Sequence, residues 1–384
     1  MATRIDLNHI LATLGPGFAG RIAELDATDG FVAENYDELK AHKVFSALVP
    51  QELDGGGATH SEMCGFVRGL AHHCSSTALA LSMHQHLVSA AVVNYRAGRP
   101  GRKLLEKVAG SEAVLISTGA NDWLESNGNA EKVEGGYRVT AVKPFTSGSP
   151  AGAAFVTSVA YDDPAEGPQV LHFAVPANAE GVVFLDDWQT MGMRATGSQT
   201  VRFDRVFVPE EAVVLKRPRG EYHPVWNIVL TVAMPLIVAA YVGAAEAACA
   251  IARSRAGKRA ADPVTPYLFG EMENLLTTAQ LALDDMVRIA DDLDFAPVQE
   301  TANAILIRKS IAARHVIAAA EKALEATGGA GFFRKTGLER LLRDVHGVQF
   351  HPLTEKRQQL FTGRMTMGLD PIETAEPAPA RAAA

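Results

Sequence analysis

The chain has 384 residues, 47% of them hydrophobic and 21% charged, which is enough for two or three packed domains and untypical of a fibrous or disordered protein. Its formal net charge of −8 argues against a nucleic-acid surface, because phosphate binding draws on clustered lysine and arginine. The three cysteines, Cys64, Cys74 and Cys249, are too few and too scattered for a disulfide framework or a metal site, so we expect a cytoplasmic protein without a metal.

Helical periodicity opens the chain. Apolar residues recur at helical spacing over residues 9–26 and 32–42, and a longer helical region is predicted over residues 60–95. A short helix follows and ends near Gly110. The pattern predicts an N-terminal helical domain over residues 1–112.

The pattern then changes to the period of two that is typical of strands. Turn residues separate the short runs. Strands are predicted at residues 137–140, 155–159, 170–173, 182–184 and 200–203. They indicate a compact β domain over residues 113–216.

Helical periodicity returns over residues 225–255, 269–292 and 298–326, which predicts a C-terminal helical domain over residues 217–372. The uncharged stretch at its start is about long enough to span a bilayer, for which roughly 20 apolar residues suffice. It contains Asn227 and Pro235 and has no aromatic belt, so we interpret it as a helix buried in a bundle and expect no membrane. The Pro/Ala-rich tail, residues 373–384, is predicted to be disordered.

Four passages in this order resemble the acyl-CoA dehydrogenase superfamily. They read LVPQELDGGG from Leu48, LISTGANDWLESN from Leu115, DDWQTMGMRATGSQTVRFDRVFVPEEAVV from Asp186, and ATGGAGF with LERLLRDV from Ala326 to Val345. The resemblance covers nearly the whole chain and implies an α+β fold. That fold has an N-terminal helical domain, a middle β-barrel or sandwich domain and a C-terminal four-helix bundle, usually in a homotetramer.

The resemblance also implies a flavin, FAD or FMN, held between the β domain and the bundle. Phe145 would stack on it and Ser147 would hydrogen-bond to it, while Arg194 would order the wall beside it. The glycines of GGAG would approach the flavin of a neighbouring subunit. The residues implied to contact the cofactor are Ser117, Phe145, Thr146, Ser147, Arg194, Gly328 and Gly329.

One departure from the family pattern concerns the catalytic base. An acyl-CoA dehydrogenase needs a positioned carboxylate to remove a proton next to the thioester carbonyl. In this sequence Pro352 stands at the usual glutamate position, with His351 before it, and Asn227 stands near the alternative position. Glu355 is displaced by a few residues and would face another direction unless the turn were rebuilt.

In lacking this base, the sequence resembles the two-component flavin monooxygenases of the same fold, such as the dibenzothiophene monooxygenases. In that branch a serine near flavin N5 and one or two histidines stabilise a C4a-(hydro)peroxide. The matching residues are Ser147, His351 and one or both of His84 and His86. A histidine that titrates near neutral pH would suit proton delivery. A separate reductase would supply the reduced flavin.

Three hypotheses therefore remain open from the sequence. The favoured one is a reduced-flavin monooxygenase acting on a small organic substrate. The second is an acyl-CoA dehydrogenase with a relocated or degenerate base, and the third is a non-catalytic flavin-binding protein. In each case we expect a homo-oligomer, and the resemblance implies a tetramer.

Overall fold

The computed structural model describes residues 4–118, 122–259 and 261–372. The disordered tail predicted at residues 373–384 lies outside these ranges. Helices come first, a β region follows and helices return, so the predicted order and the α+β class are confirmed.

The N-terminal helices pack side by side around one apolar core. Their bounds are α1 Leu7–Thr28, α2 Ala33–Ala41, α3 His60–His73, α4 Ser75–Arg96 and α5 Arg102–Ser111. The single helical region predicted over residues 60–95 is in fact two helices. Cys74 adopts an extended backbone between them (φ −150°, ψ 99°), and its Sγ accepts a hydrogen bond from the amide of Thr77. An N-cap of this kind satisfies a backbone donor at the start of the new helix.

The middle region is a β-sandwich. Its strands are β1 Leu115–Ser117, β2 Asn129–Val133, β3 Gly136–Lys143, β4 Ala154–Asp163, β5 Gly167–Pro176, β6 Val182–Phe184, β7 Val201–Pro209 and β8 Val213–Pro218. They form two four-stranded sheets with the orders β1-β4-β5-β8 and β2-β3-β7-β6. Phe155 on one sheet meets Phe203 on the other, ring to ring at 5.4 Å, in their shared core. Strands β1, β2 and β8 were not predicted.

The C-terminal region is built around one central helix. Its helices are α6 Val225–Arg253, α7 Thr265–Ala290, α8 Gln299–Thr327, α9 Leu338–Val345 and α10 Glu355–Thr366. Helix α6 is long and apolar enough to cross a membrane, but 89% of its most apolar window is buried against other elements, which confirms the predicted buried helix. A Cβ on Gly243 would lie 2.1 Å from the carbonyl oxygen of Arg68, so α3 and α6 can touch only because this residue is glycine.

A buried carboxylate joins the three regions. Asp344 on α9 accepts hydrogen bonds from the amide of Met193, at 2.6 Å, and from the hydroxyl of Ser75, at 2.5 Å. Met193 belongs to the loop before β7, and Ser75 begins α4. Burial raises the pKa of Asp344 above its usual value. This junction forms one side of the cavity described next.

Candidate active site

A cavity of about 420 Å³ lies where the β region meets α4, α6 and the segment after α9. Small-molecule sites in proteins typically have volumes of this order. Its wall is mostly apolar and includes all three tryptophans of the chain. The predicted site residues that line it are His86, Ser117, Phe145, Ser147 and His351. Residues far apart in the sequence therefore meet around one space.

Phe145 presents an aromatic ring to this cavity from a left-handed backbone, with φ at 61°. Such a backbone is uncommon for a bulky residue and is typical of strain held at functional sites. The ring is 48% exposed and stands edge-on to Trp188, with the centroids 6.1 Å apart. The next residue, Thr146, points away from the cavity and donates from both its amide and its hydroxyl to the carbonyl of Gln199. Thr146 thus anchors the turn on which Phe145 is displayed.

A row of hydroxyl groups runs from the cavity into the protein. Ser147 Oγ lies 2.7 Å from Ser198 Oγ, and Ser198 Oγ lies 2.6 Å from Thr196 Oγ1. Thr196 in turn donates to the carbonyl of Met193 at 2.9 Å. Ser117 also lines the cavity, and among the described residues its side chain has no hydrogen-bond partner. The β region therefore contributes several hydroxyls to an otherwise apolar wall.

His351 is bound to Tyr241. Its Nε2 lies 2.8 Å from the phenol oxygen of Tyr241, a residue of α6 that is 1% exposed. Burial lowers the pKa of His351 to about 3, with further contributions from Lys309 and His86. Burial also raises the pKa of the Tyr241 phenol well above its usual range. Both rings are therefore neutral near pH 7.

His86 lines the cavity from α4 and is also neutral. Burial, together with the neighbouring His84, lowers its pKa to about 4. The expectation that one of the cavity histidines titrates near neutral pH is therefore wrong for both His86 and His351. Each enters any reaction as a neutral imidazole, which has one donor nitrogen and one acceptor nitrogen.

A buried lysine holds the turn that carries His351. Lys309 on α8 donates to the carbonyl oxygens of His351 and Leu353, both at 2.9 Å. Burial lowers the pKa of Lys309 to about 8. On the other side, a Cβ on Gly347 would lie 2.7 Å from the Tyr241 hydroxyl, so only glycine leaves room for the tyrosine. The position of His351 is thus fixed from two directions.

No carboxylate is among the described residues that line the cavity. Glu355, the nearest acidic residue in sequence to His351, pairs with Arg314 and accepts from Gln359 at 2.8 Å on the surface. Asn227 is buried away from the cavity and donates to the carbonyl of Pro297 at 3.0 Å. Neither position that the family uses for its base supplies one here.

Two of the tryptophans form a pair on the cavity wall. The rings of Trp123 and Trp226 lie 4.9 Å apart and tilted by 45°. Arg217, which is fully buried, donates to the carbonyls of Trp123 and Leu124 at 3.2 and 2.8 Å. Its guanidinium carbon also lies 5.4 Å from the ring centre of Trp226. This one side chain therefore fixes both members of the pair.

A buried ion pair fixes Asp122, the residue before Trp123. Lys143 Nζ lies 2.8 Å from a carboxylate oxygen of Asp122, and both side chains are almost fully buried. The same ammonium donates to the carbonyl of Ser158 at 2.7 Å. Burial of two charges is tolerated only when the geometry and the remaining hydrogen bonds compensate for lost hydration.

Arg343 is the one residue with a formal charge among the described residues that line the cavity. Its guanidinium pairs with Asp26 at 2.6 Å and with Glu339 at 2.7 Å, and it donates to the carbonyl of Met191 at 2.6 Å. These partners occupy its donors and balance its charge. The described part of the wall therefore offers no free cation to a carboxylate or phosphate group.

Several predicted site residues do not reach the cavity. His84 is a structural residue, because one ring nitrogen lies 2.8 Å from the carbonyl of Phe45 and the other accepts from the amide of Leu115 at 2.9 Å. Arg194 pairs with Asp29 at 2.6 Å, at the junction with α1.

The glycines at the end of α8 lie away from this cavity too. Gly328 ends the helix with φ at 69°, and Gly329 follows it in a short 3-10 turn with open space around its Cα. Their approach to the flavin of a neighbouring subunit stays a prediction, because it concerns a contact between two chains.

The sequence motifs did not single out Trp123, Trp226 or Tyr241, which also line the wall. Tyr241 lies within a uniformly apolar helix, and Trp123 follows a passage that departs from the family pattern. A sequence signal did exist, since tryptophan is rare in this chain and Trp226 opens α6 directly after the linker.

Two family models match the chain: the N-terminal domain of acyl-CoA dehydrogenase over residues 17–112 and its C-terminal domain over residues 236–356. Among curated proteins, the amino sugar nitrososynthase DnmZ of Streptomyces peucetius is 27% identical, covering 83% of this chain and 82% of the relative. The dibenzothiophene monooxygenase of Mycolicibacterium goodii is 26% identical, covering 86% of each.

A dehydrogenase matches as well. The mitochondrial isovaleryl-CoA dehydrogenase of Oryza sativa subsp. japonica is 24% identical, covering 90% of this chain and 86% of the relative. Among solved structures, KijD3 in complex with FMN and dTDP-3-amino-2,3,6-trideoxy-4-keto-3-methyl-D-glucose has the same fold, with a TM-score of 0.85. It is 24% identical, and the match covers 96% of this chain and 95% of that one.

Proposed function

Because the chain belongs to the acyl-CoA dehydrogenase family of flavin-dependent oxidoreductases, we propose that it is a reduced-flavin-dependent monooxygenase acting on a small, neutral, apolar molecule. One oxygen atom of O₂ is transferred to the substrate and the other leaves as water. The two electrons and two protons come from the reduced flavin. The observation that carries this proposal is a cavity with two neutral histidines and, among its described lining residues, no carboxylate.

A dehydrogenase is disfavoured by the same observation. Removal of a proton beside a thioester carbonyl requires a base within hydrogen-bond reach of that proton. Neutral His86 and His351 are weak bases because burial lowers the pKa of each imidazole. Glu355 is engaged on the surface. The match to isovaleryl-CoA dehydrogenase therefore supports the shared fold rather than a shared reaction.

The residues around the cavity fit a flavin ring. Phe145 offers an exposed aromatic face, while Ser117 and Ser147 offer hydroxyls beside it. Ser117 is 6% exposed and without a partner among the described residues, so its hydroxyl is available to a ligand in the cavity. When bound, reduced flavin would supply the electrons that activate O₂, because the redox chemistry belongs to the cofactor.

The chain's own contribution is to position hydrogen-bond donors and to exclude water. The hydroxyl hydrogen of Tyr241 has the imidazole of His351 as its one acceptor among the described residues. Tyr241 therefore donates to Nε2 of His351, and the imidazole proton resides on Nδ1. The assigned tautomer gives His351 a fixed N–H donor, and the pKa shift keeps it neutral over the physiological range.

The substrate would lie against Trp123 and Trp226. Their rings give a flat apolar wall, and aromatic pairs prefer stacked or edge-on contacts worth roughly 0.5–1.5 kcal/mol beyond area burial. Asp26 and Glu339 balance the charge of Arg343, so no residue in the described part of the wall is left to pair with an anionic group. These features support a neutral aromatic substrate.

Two partners complete the proposal. A separate reductase would supply reduced flavin as a diffusible co-substrate. A homo-oligomer, a tetramer in our proposal, is supported by Phe332 and Phe333, which follow Gly328 and Gly329 and are 83% and 61% exposed. Light scattering coupled to gel filtration would measure the mass of the assembly.

The test of function uses the purified protein, photoreduced FMN and air, with methyl phenyl sulfide as the substrate and catalase present to remove free hydrogen peroxide. We expect the sulfoxide to form in proportion to the FMN consumed, and His351→Ala to abolish its formation while the protein stays folded. Isovaleryl-CoA with an electron-accepting dye should give no dye reduction. Dye reduction without sulfoxide formation would overturn the proposal.

A further inference from the structure

The partners of the hydroxyl row Ser147–Ser198–Thr196 determine the direction of its hydrogen bonds. Each hydroxyl has one hydrogen to donate. Thr196 lies 2.9 Å from the carbonyl oxygen of Met193, which can only accept. If Thr196 donates there, it must accept from Ser198, and Ser198 must then accept from Ser147. In this order the hydrogen of Ser147 points into the protein and its lone pairs face the cavity.

The opposite order makes fewer hydrogen bonds. If Thr196 donated to Ser198 and Ser198 to Ser147, the carbonyl of Met193 would keep the Trp188 indole and the Thr196 amide as donors but lose the hydroxyl. The hydrogen of Ser147 would then point into the cavity. The first order makes three hydrogen bonds within the protein and the second makes two. All three hydroxyl residues are nearly buried, with Thr196 at 0%, Ser198 at 3% and Ser147 at 8% exposure, so water does not readily replace the missing bond.

We infer that Thr196 and Ser198 are positioning residues that hold Ser147 as a hydrogen-bond acceptor and so make the site select reduced over oxidised flavin. This inference rests on the proposed use of a flavin. The ring nitrogen N5 carries a hydrogen when the flavin is reduced and a bare lone pair when it is oxidised. With Ser147 beside N5, as the family resemblance implies, an acceptor there would match the first state and oppose the second.

The expected size of the effect follows from one net hydrogen bond. A neutral hydrogen bond in a folded protein contributes enough for about a five- to tenfold ratio of dissociation constants. Tighter binding of the reduced form raises the midpoint potential of the bound flavin, and tenfold corresponds to about 30 mV for two electrons.

The experiment compares the dissociation constants of FMN and photoreduced FMN, the latter measured anaerobically. Tryptophan emission is the readout, because all three tryptophans line the cavity. In Thr196→Val the row loses its fixed end, and Ser147 is free to donate. We expect the ratio of the oxidised to the reduced dissociation constant to fall by about five- to tenfold, with most of the change in tighter binding of oxidised FMN.

Two further variants separate positioning from damage to the fold. Ser198→Ala removes the middle of the row and should lower the ratio in the same way. Ser149→Ala is the matched control, because Ser149 is a buried neighbour that donates to the carbonyl of Gly197 at 3.0 Å and lies outside the row. Its ratio should equal that of the unaltered protein. A purely structural role would weaken both dissociation constants together and leave the ratio unchanged.

The outcomes are distinct from those that decide the proposed function. A protein that prefers reduced FMN, and loses this preference in Thr196→Val, supports the inference even if it forms no sulfoxide. Equal binding of both redox states by the unaltered protein, or an unchanged ratio in both Thr196→Val and Ser198→Ala, overturns the inference even if oxygen is transferred. Failure to bind either form of FMN overturns both.

Discussion

The phenol oxygen of Tyr241 lies 2.8 Å from Nε2 of His351, and the two residues are 110 positions apart in the chain. The contact is formed between the most buried helix of the bundle and the turn after α9. It gives His351 one tautomer and one orientation. A hydrogen bond of this kind to the far nitrogen is a general means of fixing which nitrogen of a histidine faces a reactant.

Replacement of Tyr241 by phenylalanine should therefore impair the reaction more than the fold. The ring stays, but His351 loses the donor that fixes its tautomer. We expect kcat with methyl phenyl sulfide to fall about tenfold, equivalent to about 1.4 kcal/mol, with KM nearly unchanged. Steady-state kinetics measure both. An unchanged kcat would show that the tautomer of His351 does not matter.

Tyr36→Phe is the matched control for that prediction. Tyr36 is also fully buried, but its hydroxyl has no hydrogen-bond partner, and it does not line the cavity. Removal of an unsatisfied buried hydroxyl should leave kcat unchanged and raise the free energy of unfolding by about 1 kcal/mol. Urea unfolding would reveal whether the gain occurs.

The aromatic pair Trp123 and Trp226 predicts ligand preference. Binding is followed by tryptophan emission, excited at the red edge of the absorption band, and 4-methylanisole should change this emission. 4-Methylbenzoate should bind at least on the order of a hundredfold more weakly, because its charge would be buried without a partner. The saturated analogue 1-methoxy-4-methylcyclohexane should bind about three- to tenfold more weakly than 4-methylanisole, through loss of ring contacts. Equal affinity for the ether and the carboxylate would contradict a neutral cavity.

The buried pair Lys143 and Asp122 predicts a large effect on stability. Lys143→Met leaves the Asp122 carboxylate buried without its partner and should lower the free energy of unfolding by about 3–5 kcal/mol. The double variant Lys143→Met/Asp122→Leu should recover part of this stability, because it leaves no unpaired charge buried. The recovery should be incomplete, because the carbonyl of Ser158 still lacks the donor that Lys143 provided. Urea titrations of both proteins test this. A double variant less stable than the single one would disprove the explanation.

Buried histidines predict how stability depends on pH. Burial lowers the pKa of His172 to about 3, and that of His84 and His86 to about 4. In the unfolded chain these residues have a pKa of about 6.5, so below that pH the unfolded state takes up protons that the folded state does not. Their contribution is complete above about pH 6.5 and is lost as the pH falls towards the folded values.

His172→Gln isolates one of these groups. His172 accepts from Arg217 at 3.0 Å, and a glutamine oxygen can accept in its place. From pH 7 to pH 5 the free energy of unfolding should fall by at most about 2 kcal/mol more in the unaltered protein than in this variant. His315→Gln, at a half-buried position on α8, is the control and should follow the unaltered protein. If His172→Gln were more sensitive to acid than the unaltered protein, the lowered pKa of His172 in the folded state would be contradicted.

Much of the fold could be predicted because its elements have clear periods. Helix α6 is apolar on every face and strand β7 alternates between buried and exposed residues, so each was located from the sequence. The break between α3 and α4 was missed because Cys74 is not a residue that usually interrupts a helix. Strands β1 and β2 were missed because neither alternates: β1 is buried at all three residues, and β2 has one buried residue among mostly polar ones.

The site was only partly predictable, for a related reason. His351, Ser147 and His86 belong to passages that match or conspicuously depart from a family pattern, and they do line the cavity. Tyr241 could not be found, since in a helix buried all round the pattern does not show which side chain faces a cavity. Burial also moved the histidine pKa values away from neutrality, and no sequence pattern reports burial by distant elements.

The most direct test of the monooxygenase proposal follows isotopically heavy dioxygen. The protein is mixed with photoreduced FMN and methyl phenyl sulfide under this gas with catalase present, and the sulfoxide is analysed by mass spectrometry. We predict one heavy oxygen atom in each sulfoxide molecule and none of this product with His351→Ala. Sulfoxide oxygen derived from water, or equal yield from His351→Ala, would contradict the proposed function.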